Sequence, residues 1–426
     1  MRTILLLVCL AAPLMAAEDE DAKARVRGVR NYAKQGPAGI PLIAPYLDDV
    51  DPEVRWESVK AISDIGGATC IDPLIKASAD AEGEIQVRAA EGLINVYLPG
   101  FLKTGLTAPL RKAGSSIKNR FTDTNTQIID PTVQVRPDVI EALGKMARGG
   151  ISMPARATAA RGIGILRGRA ALPDLYQALQ SKDTAVLYES LIAIQKIRDT
   201  ESGPRIQFLL KDPLPRVQLA AVETTGVLRN TAALPALREI AAGSGDIKVR
   251  RAALSAIAMM PDELNRPLYA TYFQDRDEGL RAGAAEGYAR LKNSSDLPAL
   301  DKAFNDEGRM GPRLATAFAL VMLGKRELAE FSPLQYLVNT LNSRSYRDVA
   351  APYLIELTRD ADIRRAVYPA LDRATKEEKI RLADVLSRSG DAETATVLEK
   401  LQKDPDPEVA QEAARAIRNL QARLPK

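Results

Sequence analysis

The sequence predicts an all-α fold, a right-handed solenoid of stacked helix pairs. Two observations carry the prediction. An Asp-rich turn followed by a Val-Arg-like pair and a run of small apolar residues returns along most of the chain, and the openings at 155, 186, 217, 249, 280 and 312 are separated by 31, 31, 32, 31 and 32 residues. Each opening is also followed by a second apolar segment at a fixed offset. From 54 to 74, 155 to 175, 186 to 206, 217 to 237 and 280 to 300 the step is 20 residues. A repeat of this length is one supersecondary unit that cannot bury its apolar face alone, so copies stack. About eleven such units are expected in the 426 residues.

Val54-Arg55, Val249-Arg250, Leu280-Arg281 and Ile380-Arg381 open four copies, with weaker ones at Val87-Arg88, Ala155-Arg156, Val186-Leu187, Val217-Gln218, Pro312-Arg313 and Val409-Ala410. In the copy from Asp212 to Ile240, Asp212-Pro213 reads as a cap and first turn. An Asp side chain accepts from free N–H groups, and Pro is tolerated where no donor is needed. Val217, Ala220, Ala221 and Leu228 follow at helical spacing, Arg229-Asn230-Thr231 turns the chain, and Leu234-Pro235-Ala236-Leu237 starts the second helix. Small residues four after the openings (Ser58, Ala159, Ser190, Ala221, Ala253, Ala284, Thr316, Ala413) let neighbouring helices approach closely.

These motifs resemble HEAT repeats, in particular the short bacterial units of the phycobilisome-lyase type, over nearly all of the chain after residue 17. The resemblance implies a structural ladder in which Arg55, Arg88, Arg156, Arg250, Arg281, Arg313 and Arg381 pair with a turn Asp or a carbonyl of an adjacent unit. Asp51, Asp246 and Asp277 are the candidate partners. It carries no enzymatic activity with it, because a shared architecture is a weak warrant for function.

Met1-Arg2-Thr3, the apolar run Ile4 to Leu14 and then Met15-Ala16-Ala17-Glu18 have the layout of a secretory signal peptide, with processing after Ala16 or Ala17. The run is shorter than the ~20 residues of a membrane-spanning helix. The expected product is an exported protein, periplasmic or extracellular, with no membrane span and a solenoid from residue 18 to 426. Loss of Cys9 would leave Cys70 as the one thiol, read as a small buried hydrophobe rather than a reactive group.

The step from Val87 to Ala155 is 68 residues, so an irregular excursion at about 100–137 interrupts the array. Its Asp123-x-Asn125-x-Gln127 start fails as a calcium loop, with Ile128 at the turn position that wants Gly and Gln134 at the twelfth, where a carboxylate is needed. A second loosening, from Phe331 to Tyr368, gathers Tyr336, Tyr346, Tyr353 and Tyr368.

The chain contains no histidine, which removes Ser-His-Asp and Cys-His sites and most zinc arrangements. No phosphate-binding or dinucleotide glycine motif occurs, and no cofactor or metal is expected. Asp48, Asp49 and Asp51, and Asp404, Asp406 and Glu408, read as turn and cap residues. Lys and Arg total 59 against 55 Asp and Glu, interspersed throughout, which argues against a nucleic-acid surface.

What remains is a surface. Positions two and six after each opening vary in character while the small-residue column does not, so Trp56, Lys60, Tyr188, Ile192, Leu219, Glu223, Arg251, Leu314 and Phe318 form an expected exposed strip on the concave face. The expectation is a noncatalytic scaffold that binds a protein partner through that strip. The alternative is a carboxylate-dependent hydrolase, a lyase or an accessory subunit of an enzyme, with acids near Asp123 and Asp130 converging at the excursion.

Overall fold

A computed structural model describes residues 8–102, 127–130 and 132–424 of the chain. The described residues form α and 3-10 helices and no strand. The chain divides into two compact units, Met1–Ile129 with Val133–Ile206, and Asp130–Thr132 with Gln207–Lys426. In each, long helices such as Pro52–Ile65, Thr184–Ile197 and Glu278–Leu291 alternate with shorter ones such as Ile71–Ala77, Leu172–Ala178 and Leu297–Asp306. This is an α-solenoid of helix pairs.

The repeat phrase explains each pair. Asp51, Asp183, Asp246, Asp277, Asp360 and Asp406 are N-caps whose carboxylates accept from backbone N–H groups of the first turn. The opening residues Val54, Ala155, Val186, Val217, Val249, Leu280 and Val409 are buried, and so is every member of the small-residue column. The second-helix signal also holds. A 3-10 turn leads into Leu172, Leu234 and Leu297 as first helical residues with Pro beside them, and Leu74, Leu175, Ile206, Leu237 and Leu300 fill the core.

Two local readings are corrected. The helix after Asp212 is Pro215–Leu228, capped by Leu214, because Pro215 and not Pro213 occupies the first turn; Asp212 instead accepts from the Leu214 N–H at 2.9 Å. The ladder also exists with other members. Its basic residue lies four after the N-cap, at Arg55, Arg281, Arg364 and Lys379, and reaches a carboxylate 25–27 residues on, in the turn that follows. Arg55 binds Asp80 at 2.8 and 3.1 Å and donates to Asp49 O at 3.0 Å; Arg281 binds Glu307 at 2.8 and 3.1 Å and donates to Asp275 O at 2.9 Å. Arg364 repeats the pattern with Asp391 and Thr358 O, and Lys379 reaches Asp404 at 2.6 Å.

The partners are therefore Asp80, Glu307, Asp391 and Asp404, while Asp51, Asp246 and Asp277 are caps, Asp277 also binding Arg251 rather than a member of the predicted column. Arg156 and Arg250 donate to carbonyls, of Ala147 and Ala241, and the Arg313 guanidinium lies over the Phe304 and Tyr336 rings, 5.0 Å from each centroid. Arg88 and Arg381 stand two residues out of register, paired with Asp64 and with Glu377 of the same helix. In the Gly83–Tyr97 helix Gln86 holds the ladder position, donating to Asp80 O at 2.8 Å, and the buried opening residue is Ile85.

Candidate interaction surface

The expected strip divides by burial. Trp56, Lys60 and Tyr188 in the first unit, and Leu219 and Arg251 in the second, are half-buried; Glu223 is exposed. Lys60 lies within 3.8 Å of Glu57 and 3.9 Å of Asp64. Arg251 is engaged by Asp277 through its Nε at 2.7 Å, and that bond and charge hold the Asp277 carboxyl below its usual range. Glu223 is reached by solvent yet crowded by protein, and the resulting desolvation raises its carboxyl pKa.

Ile192, Leu314 and Phe318 do not belong to the strip, because all three are buried. Phe318 stacks on Tyr353 with centroids 4.8 Å apart, and the Arg290 guanidinium covers it at 5.0 Å. Tyr353 donates to Glu286 at 2.7 Å, and Arg290 bridges Glu286 at 3.1 Å and Glu356 at 2.9 and 2.8 Å. The Met310–Met322 helix buries every residue from Leu314 to Val321. The signal was present, since beyond Arg313 that helix contains no charge, and a helix apolar on all sides is a core helix.

Of the excursion, residues 103–126 lie outside the described set, Asp123 and Asn125 among them. Ile129 is buried and its N–H donates to Ile165 O at 3.0 Å. Asp130 accepts from Thr132 Oγ1 at 2.6 Å and from its N–H at 3.0 Å, which lowers its carboxyl pKa, with the Arg415 and Arg418 charges adding to the effect. It is a settled carboxylate, not a raised acid. No group of three or more potential metal ligands occurs among the described residues.

The tyrosines of 331–368 mostly pack. Tyr336 meets Phe304 edge-on, Tyr368 shares a hydrogen bond with Thr394, and Tyr346 alone of the four is exposed. Cys70 is fully buried, its thiol 3.1 Å from both Ile62 O and Gly66 O, and burial pushes its pKa up to about 11. Such a thiol is not a ready nucleophile. A residue with no signal in the repeat pattern is Lys196, two turns on from Tyr188. Desolvation lowers its ammonium to about 8, with Arg161 adding to the effect and Glu189 opposing it. Asp360-Ala361-Asp362-Ile363-Arg364 was missed too, although its likeness to the Asp51-to-Arg55 phrase is a signal that could have found it.

Helix pairs in register, capped by Asp and tied by a basic ladder, define an α-solenoid built of HEAT-like repeats. The HEAT-repeat model matches residues 11–94, 203–268 and 235–321, and the phycobilisome-lyase HEAT-like repeat model matches 155–181. No curated protein matches the sequence. Among solved structures, the CpcE–CpcF complex of phycocyanin lyase from Nostoc is 15% identical with a TM-score of 0.37, covering 63% of this chain and 92% of its own. An engineered protein is 19% identical at TM-score 0.37, covering 90% and 98%. Human deoxyhypusine hydroxylase is 19% identical at TM-score 0.28, covering 67% and 96%. No helix of the described residues is long and apolar enough to cross a membrane.

Proposed function

We propose that the chain is a noncatalytic scaffold, exported by its first 17 residues, that holds a protein partner on the outward positions of its long helices. One observation carries the reading. At Trp56, Tyr188, Leu219 and Arg251 the position two after the opening is solvent-reachable and different each time, while the position four after it is small and buried at every copy. Packing dictates the second column throughout, whereas in the first it claims Ala89, Ala157 and Leu314 and leaves these four positions reachable. Trp and Tyr are the residue types that most often dominate binding energy at protein interfaces. Each unit carries its own part of this face, Trp56, Lys60 and Tyr188 in one and Leu219, Glu223 and Arg251 in the other. The histidine-free composition supports a noncatalytic role.

The test is affinity capture from envelope extract with the wild type and with Trp56→Ala/Tyr188→Ala, followed by reconstitution with the purified partner. A partner that binds the wild type and is lost by the variant at unchanged helical content supports the reading. Equal binding by both sinks it. N-terminal sequencing of the protein recovered outside the cytoplasm tests export, with Ala17 or Glu18 expected as first residue.

A further inference from the structure

A cavity of about 410 Å³ opens in the second unit beside the C-terminal ends of several long helices. Five cations line it, Arg229, Arg290, Lys292, Arg326 and Arg359, against the carboxylates of Glu356 and Asp360. Two of the cations are spent. Arg290 is held by Glu356 and Glu286, and Arg326 by Asp360 at 3.1 Å. Arg229, Lys292 and Arg359 make no ion pair within 4 Å among the described residues; Glu356, already bonded to Arg290, also feels the Arg229 and Arg359 charges, so five cations share two carboxylates around the recess.

The repeat places two of these cations at the rim. Arg229 and Lys292 sit just past the Pro215–Leu228 and Glu278–Leu291 helices in the left-handed conformation, at φ 52° and 55°. Glycine takes that conformation without penalty. Arg167 and Arg198 take the same conformation past long helices of the first unit, at φ 52° and 58°, so a long cation at this position is a feature of the repeat, and what distinguishes Arg229 and Lys292 is that both line the recess. The positive field is also felt nearby: burial first, and then the Arg359 and Arg364 charges, depress the Arg423 guanidinium pKa. Met259, Met322 and Ile363 give the recess an apolar part, which suits an organic ligand better than a hydrated inorganic ion.

We propose that this recess binds a small organic anion carrying two or more negative charges, as phosphate or carboxylate groups, with Arg229, Lys292 and Arg359 as its cationic contacts. Guanidinium groups can engage either head group through paired N–H donors. The site is separate from the proposed protein-binding positions, and its failure would leave that reading standing.

The competing explanation is that these cations only complement the negative ends of helix dipoles. Calorimetric titration of the full chain at low ionic strength with citrate, naphthyl phosphate and pyrophosphate separates the two. Saturable one-to-one binding of citrate or naphthyl phosphate is expected, tighter than that of pyrophosphate. Arg229→Gly/Lys292→Gly is expected to weaken it at least tenfold with the melting temperature unchanged or raised, since glycine relieves both left-handed positions. Arg359→Gln, which alters no strained backbone, is expected to weaken it as well. Absence of saturable binding by all three probes overturns the proposal. So does undiminished affinity in both variants, and a glycine variant that loses stability but keeps its affinity marks the two cations as helix caps.

Discussion

Gly287 shows how far one hydrogen atom can be a structural requirement. A Cβ built there would stand 2.4 Å from the Tyr269 ring, which is fully buried and fills the closing position of the second helix, 20 residues after Val249. In the first unit Gly92 meets Leu74 across the same 18-residue offset, so the glycine accommodates whichever side chain closes the preceding pair. Gly287→Ala overpacks an interior that has no spare volume and is expected to cost about 2 kcal/mol, read as a lowered denaturation midpoint at unchanged slope. Lys196 supplies the pH dependence at this scale. Its folded pKa of about 8 lies below its unfolded value, so the charged form is penalised in the fold. That penalty is full below pH 8, and stability rises between about 8 and 10.5 as the folded state releases its proton first. Lys196→Met is therefore expected to raise the melting temperature at pH 7, with the gain gone above about pH 10.5; a gain that persists there would mean that packing, not charge, caused it. Single residues were the hardest scale to read. Phe318 looked like an anchor because its repeat position varies in character from copy to copy, and nothing local told that Tyr353, 35 residues on, would stack over it.

Elements were most legible where an Asp cap marked the start, although the one at Asp360 was missed. Asp51 and Asp406 were read as turn and cap residues and do cap long helices, because cap chemistry is local and strong, whereas Asp246 and Asp277, read as ladder partners, are caps as well. Register slipped where the cap was another residue, at Glu82 and at Thr375, and the Val-Arg pair was then taken two positions late, as Val87-Arg88 and Ile380-Arg381. The slip has an energetic consequence. Arg381 pairs with Glu377 on the same helix, and both side chains are about two-fifths exposed, whereas Lys379 reaches Asp404 in the next turn with the latter almost wholly covered. Exposed i,i+4 pairs contribute about 0.3 to 0.5 kcal/mol, so Arg381→Ala should be close to silent. Lys379→Ala removes the bond between successive turns, leaving Asp404 with the Asp406 N–H at 3.0 Å, and should lower the denaturation midpoint more than Arg381→Ala does. Chemical denaturation of the two variants side by side checks the assignment; equal effects would place both residues outside the ladder.

At the scale of the whole molecule the steady period made the solenoid legible, since only stacked copies explain recurring buried columns at fixed offsets. The division into two compact units was not legible, and neither was the Arg290–Glu356 bond, whose partners lie 66 residues apart across a stretch where the period loosens. Both depend on which helices meet after the local phrases have been satisfied. A repeat array is stabilised mainly by each unit's own energy and its nearest-neighbour interfaces, so damage should stay local in a way that a globular core would not allow. Gly287→Ala provides the test. Its clash lies between the Arg266–Tyr272 and Glu278–Leu291 helices, and the helices packed directly on the latter are Ile247–Ala258 and Met310–Met322. Amide hydrogen exchange under native conditions should accelerate roughly tenfold or more in those four helices, the factor that about 1.4 kcal/mol of lost local stability produces. Exchange in Pro52–Ile65 and Gly83–Tyr97, which belong to the other unit, should keep its wild-type rate. A uniform acceleration across both sets would instead show that the chain opens only as a whole, and the nearest-neighbour account of its stability would fall.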